Sequence, residues 1–262
     1  MLALLSPAKS LNDSPVSGDF DLTTPHFMPD TERLMQTTRR QSPKKLRQLM
    51  GISESLAALN HQRFQDWTPD HDPANSLPAA LTFNGDVYLG LDARTLSPQD
   101  LQWAQERVAI ISGLYGLLRP LDLIQPYRLE MGTSLKTRRG PNLYAFWKDR
   151  IAKRVNELAA THNDPTVLNL ASKEYFSAAR TKKLAGPVVD VVFQDVKDGK
   201  ARVLGFFAKR ARGSMARHII THRMDRAEQI KDAVVDDYRF DAEASSAHKW
   251  VFRRPQPPPV NG

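Results

Sequence analysis

The chain opens on an unbroken apolar run at residues 2–5, stopped by Ser6-Pro7. A short apolar run closed by a turn signal predicts a strand buried on both faces. Residues 10–29 are polar and broken by prolines, which predicts a loop. Ser42-Pro43 sets a capping hydroxyl before a proline at the first helical position, with Gly51 as the stop. Ser53 caps a second helix to about Phe64. Pro69, Pro73 and Pro78 make residues 67–78 a loop, and residues 83–91 read as a turn at Asn84-Gly85 leading into a short strand. Ser97-Pro98-Gln99-Asp100 is a capping box, after which Leu101, Ala104, Val108 and Ile111 fall at helical spacing up to Gly113.

Residues 142–160 predict another long helix, and 166–170 a buried strand whose end, Ala171-Ser172-Lys173-Glu174, opens a helix. Residues 188–196 and 201–208 predict two strands joined by Asp198-Gly199, a dipeptide suited to a two-residue hairpin turn. Residues 209–223 predict a basic helix. Residues 253–262 hold four prolines and little to bury, which predicts a disordered tail. Helices and strands intermingle without repeat or linker, and one hairpin is antiparallel. The expected fold is a mixed α/β (α+β) arrangement in a single domain over residues 1–252, not a pure doubly wound sheet.

Composition narrows the partners. The chain has 262 residues, 37 Lys and Arg against 29 Asp and Glu, a formal charge of +8 and an isoelectric point near 9.7. Such a surplus favours polyanions. The absence of cysteine excludes disulfides, thiol redox switches and thiolate metal sites. No run approaches the roughly 20 apolar residues of a membrane span. The apolar N-terminal run has no basic residue before it and ends after five residues, so it reads as a strand, not a signal peptide. The cytoplasm is the expected compartment.

Residues 201–223 carry six basic side chains (Arg202, Lys209, Arg210, Arg212, Arg217, Arg223) and no acid. Arg210 and Arg217 share a helical face, while Ala211, Met215 and Ile219 form the opposite, core-facing stripe. A row of guanidinium forks suits phosphate, although a solvated surface face would have the same sequence. Basic clusters at 39–47 and 136–139 would extend the patch. Gly113 and Gly116 would permit a tight turn that offers backbone N–H groups to a phosphate, or simply end a helix.

Two strand-end loops, Ser6-Pro7-Ala8-Lys9-Ser10 and Ala171-Ser172-Lys173-Glu174-Tyr175, each pair serine with lysine. Ligands of α/β folds gather at strand carboxyl ends, so the loops either converge on a pocket or are structural turns. His218 and His222 have two-ligand metal spacing, but arginines surround them.

At Ser6-Pro7-Ala8-Lys9-Ser10, Gly85-Asp86-Val87-Tyr88, Ser112-Gly113-Leu114-Tyr115-Gly116 through Met131-Gly132, Asn169-Leu170-Ala171-Ser172 and Lys209-Arg210-Ala211-Arg212-Gly213, the chain resembles the bacterial YaaA-like peroxide-stress family. The resemblance runs from Met1 to about Phe252. It implies a role in surviving hydrogen peroxide, a link to low free intracellular iron, and DNA binding by an α/β fold with a positively charged cleft and a helix-hairpin-helix-like element, placed here at Gly113 and Gly116.

The expected protein therefore grips the backbone of double-stranded DNA with little sequence preference, through Gly113, Gly116, Arg119, Lys209, Arg210, Arg212 and Arg217. No cofactor, metal, membrane or obligate protein partner is expected. The alternatives are an enzyme on a nucleotide or nucleoside, using Lys9, Ser172 and Lys173, and an iron-handling protein using His218 and His222.

Overall fold

The computed structural model describes residues 1–16, 18–179 and 181–258. It begins with β1 (Leu2–Leu5), all of whose residues are inaccessible to solvent. A short strand β2 (Ser10–Leu11) and a loop lead to α1 (Met28–Thr38), α2 (Pro43–Met50) and α3 (Glu54–Asp66). The Ser42 and Ser53 side chains accept the first-turn amides of Lys45 and Leu56, and Gly51 ends α2 at φ +61°. Only the absence of a Cβ makes that left-handed conformation easy. α1 was not anticipated, and it takes the end of the expected loop. It lacks a side-chain cap and is held by the buried stripe Thr31, Leu34, Met35 and Thr38.

Then follow β3 (Leu77–Pro78), α4 (Ala79–Thr82), β4 (Phe83–Asn84) and α5 (Asp86–Leu91). The strand expected after Asn84-Gly85 is thus a helix. The capping box opens α6 (Pro98–Arg107), but the chain turns directly into β5 (Val108–Ser112), so the expected helix up to Gly113 is helix and then strand. Next come β6 (Gly116–Leu118) and β7 (Leu123–Ile124). The long helix expected at 142–160 divides into α7 (Leu143–Trp147) and α8 (Arg150–Ala159) at Lys148, where φ is +49°.

After β8 (Val167–Asn169) the Ser172 side chain caps α9 (Lys173–Phe176). β9 (Val188–Lys197) and β10 (Lys200–Arg202) form the expected hairpin, with Asp198 and Gly199 at φ +50° and +72°. α10 (Gly205–Thr221) takes over the end of the strand expected at 201–208. β11 (Arg239–Ser246) and β12 (Lys249–Pro255) close the chain's main sheet.

That sheet is mixed, as expected. Its order is β11-β12-β9-β8-β1-β5-β6, with β10 added against β9. β12, β9, β8, β1 and β5 are mutually parallel, and β11, β6 and β10 pair antiparallel. The carboxyl ends of β1 and β8 therefore lie side by side, with Leu4 paired to both Ala109 and Asn169. α10 packs on β9 and β1, and α6 on β1 and β5.

The closest helix contact is between α5 and α10. A Cβ built on Gly213 would meet the Val87 carbonyl oxygen at 1.7 Å, and one on Gly90 would meet the Arg210 oxygen at 2.1 Å. Two glycines thus let the helix backbones touch.

The tail expected from Arg253 begins later. Arg253, Arg254 and Pro255 pair with Gln194, Asp195 and Val196. Arg254 Nε donates to the buried Asp195 carboxylate at 2.8 Å, and the Tyr238 hydroxyl donates to its other oxygen at 2.7 Å. Residues 259–262 of the expected tail lie outside the described residues.

Three variants test these contacts by urea denaturation. Gly213→Ala should destabilise by about 3 kcal/mol or more, because backbone atoms must separate. Gly205→Ala, with no neighbour within 4 Å, should be neutral or gain up to about 1 kcal/mol. Arg254→Ala should cost about 3–5 kcal/mol, because it leaves the buried Asp195 charge without its cation.

Candidate functional site

The two strand-end loops converge. They meet in a cavity of about 370 Å³ lined by residues 6–10, by Asn84, Gly85, Asp86, Val87 and Tyr88 at the start of α5, by Glu130, Ser172, Glu174 and Tyr175, and by Lys209 and Arg212 of α10. The Ser6 hydroxyl ties the loops together: it accepts the Ser172 amide at 2.8 Å and donates to the Ser172 hydroxyl at 3.3 Å. The Tyr88 hydroxyl donates to the Ser6 carbonyl at 3.0 Å. Burial pushes the Tyr88 and Tyr175 phenols up, away from ionisation.

Charges within the cavity are mostly matched. Lys9 Nζ lies 3.3 Å from Glu130, which also receives Arg128 at 2.9 Å. Lys209 lies 3.1 Å from Asp86, and Glu174 accepts the Gly132 amide at 2.8 Å. Arg212 has no partner among the described residues; its Nε is sealed from solvent, and desolvation lowers its pKa. Lys9 keeps 64% of its side chain exposed, so it is not a desolvated amine. Ser172 caps α9, Lys173 is not among the lining residues, and no histidine stands beside either serine among the lining residues. The lining brings hydroxyls, carboxylates and cations together, which gives the cavity the means to bind a small polar molecule.

The remaining expected DNA contacts separate. Gly113 and Gly116 lie in a buried β-hairpin, with Ser112 paired to Gly116, and not between two helices. The Trp147 indole donates to the Gly113 carbonyl at 2.9 Å, and Gly116, at φ +73°, faces the Trp147 and Phe27 rings. Neither offers an N–H to a phosphate, so the helix-hairpin-helix placement is corrected. Arg119 is held by the buried Asp122, which burial pushes up and which also accepts the Thr23 hydroxyl at 2.6 Å.

On α10, Ala211, Met215 and Ile219 are fully buried, as their spacing predicts. The basic row opposite them is not free, because distant segments supply the acids its own sequence lacks. Arg210 lies 4.0 Å from Asp236, Arg217 3.9 Å from Asp92, and Arg223 2.7 Å from Asp100. Arg217 also donates to the Leu91 and Asp92 carbonyls at the end of α5. His218 and His222 stack at 3.8 Å; burial and its neighbour lower the His218 pKa. Among the described residues no group of three His, Asp or Glu could hold a metal.

Unmatched positive charge gathers elsewhere. An open cleft of about 650 Å³ lies between α1 and the 136–139 turn, lined by Arg33, Gln36, Thr37, Arg40, Lys136, Thr137, Arg138, Arg139 and Phe146. One carboxylate, Asp30, serves Arg33 at 3.8 Å, Arg139 at 2.6 Å and Arg150 at 3.6 Å. Arg40, Lys136 and Arg138 have no acid among the described residues and are exposed. Both clusters were visible in the sequence as possible extensions of a patch. The meeting of Arg40, from the first, with the 136–139 turn across one cleft was not. Arg39, beside them, turns inward and donates to the Phe64 carbonyl at 2.7 Å.

Residues 1–244 match the family model described as "Peroxide stress protein YaaA". Similar chains named "UPF0246 protein" come from Caulobacter vibrioides, 50% identical over 257 residues (98% of this chain, 100% of the relative), and Paracidovorax citrulli, 50% over 255 residues (97% and 98%). Another, from Burkholderia ambifaria, is 49% identical over 256 residues (97% and 98%).

The loop tie has a measurable strength. Ser6→Ala should cost about 1–3 kcal/mol by leaving the Ser172 amide without its acceptor, and Ser172→Ala about 1 kcal/mol through the lost cap. In a double-mutant cycle the losses should fall short of additive, since the two hydroxyls share a bond. Full additivity would mean that the two hydroxyls do not interact.

Proposed function

The chain belongs to the peroxide stress protein YaaA family, and we propose that it serves the peroxide-stress role the family is named for by gripping the phosphate backbone of double-stranded DNA in the basic cleft. The observation that supports this is the cluster of five cationic side chains around the cleft, with no acid in the lining and one carboxylate shared by three arginines at its wall. Arginine forks and a lysine set around an open groove favour phosphate wherever it lies along a duplex. The lining has no acid or amide fork of the kind that reads base edges beyond Gln36, so the grip follows charge and shape more than sequence.

This reading moves the main grip from α10 to the cleft, since the α10 arginines already have acidic neighbours. The link to low free iron belongs to the same proposal and asks for no iron ligand on this chain. No described helix is long and apolar enough to cross a membrane, and a cytoplasmic setting is part of the same proposal.

Replacing Arg40, Lys136 and Arg138 together with Ala should weaken binding to every duplex tested. Because each lost phosphate contact removes about 0.9 from the slope of log affinity against log salt, the slope should fall by roughly 2.7. Replacing Arg210 and Arg217 with Ala should change that slope little. Fluorescence anisotropy across salt concentrations measures both; an unchanged slope in the triple variant would sink the cleft model.

A further inference from the structure

The cavity at the carboxyl ends of β1 and β8 shares no lining residue with the basic cleft and holds a charge that DNA binding does not use. Lys9 answers Glu130 and Lys209 answers Asp86, but Arg212 answers nothing among the described residues. An unpaired, largely buried guanidinium is unfavourable in a resting fold. The backbone holds it there, because the next residue, Gly213, is pressed onto α5. Around it stand the hydroxyls of Ser6, Ser10 and Ser172 and the carboxylates of Asp86, Glu130 and Glu174. The volume of about 370 Å³ falls in the range of small-molecule sites.

We propose that this cavity binds a small organic anion, a carboxylate or phosphate monoester that also carries hydroxyl groups, with its anionic group in the fork of Arg212. The fork supplies parallel donors to two oxygens of the anion. The serines and the cavity's carboxylates receive the hydroxyls. No covalent step is involved.

Thermal melting with three matched probes tests this: glycerol 3-phosphate, glycerate and glycerol. At least one of the two anions at saturating concentration should raise the melting temperature of the wild-type protein by roughly 2–6 °C, and glycerol should not. Which anion acts separates phosphate from carboxylate. Arg212→Met should weaken that anion at least about tenfold without lowering the melting temperature of the free protein, because it removes an unpaired buried charge. Arg212→Lys, which keeps the charge but not the fork, should weaken it less and serves if the Met variant does not fold. The triple cleft variant, Arg40, Lys136 and Arg138 to Ala, should keep the full shift, so loss of DNA binding and loss of anion binding are read apart. The proposal is overturned if neither anion shifts the wild type, if the shift survives Arg212→Met, or if it disappears in the cleft variant.

Discussion

The contact on which the rest of this structure depends is the crossing of α5 and α10 through Gly90 and Gly213. Each glycine lies where a Cβ would run into the other helix's backbone. The approach fixes α10 against the loop after β4 and against the central strand. From that placement follow the position of Arg212 over the β1 loop, the pairing of Lys209 with Asp86 and the donation of Arg217 to the end of α5. A side chain at either glycine would lift the helix and part these groups together.

The elements most legible in the sequence are those signalled locally. Ser42, Ser53 and Ser97 cap the helices they were expected to cap, a helix opens at Ser172 as expected, and Asp198-Gly199 makes its turn. Where two periods fitted the same residues the reading failed. Val108 and Ile111 continue the helical spacing of α6, yet they belong to β5, whose residues are buried on both faces. In the same way, Ala201 to Ala208 mixes strand and helix. The charge of α10 was misleading for a different reason: its neutralising acids, Asp86, Asp92, Asp100 and Asp236, come from segments remote in sequence, and only the tertiary fold brings them close. The same remoteness hid the cavity, where residues that the sequence assigns to two rival functions, Lys9 and Ser172 to one and Lys209 and Arg212 to the other, line one space.

The long motif that carries the family resemblance works mainly as architecture. Ser112 bonds the Tyr127 hydroxyl at 2.6 Å and accepts the Tyr115 amide at 2.9 Å, while the Tyr115 hydroxyl accepts the Trp67 indole at 3.0 Å and the Gln125 amide at 3.2 Å. These groups are buried and satisfied among themselves, which explains a demanding sequence without a ligand. Only the end of the motif, Glu130 with the Gly132 amide bound by Glu174, reaches the cavity. The family signature thus specifies the wall, and the reactive-looking residues stand on it.

The place of β12 between β9 and β11 has a consequence for synthesis on the ribosome. β9 ends at Lys197, but the strand that pairs with residues 190–196 along its outer edge starts only at Lys249. At about 5–20 residues per second the growing chain leaves that edge unpaired for roughly 3–10 s. Val189, Val191 and Phe193, buried in the finished protein, belong to it. An open edge of this kind invites pairing with other chains. The nascent protein passes through an interval in which it depends on chaperones, or on dilution, to reach its own last strand before meeting a neighbour's.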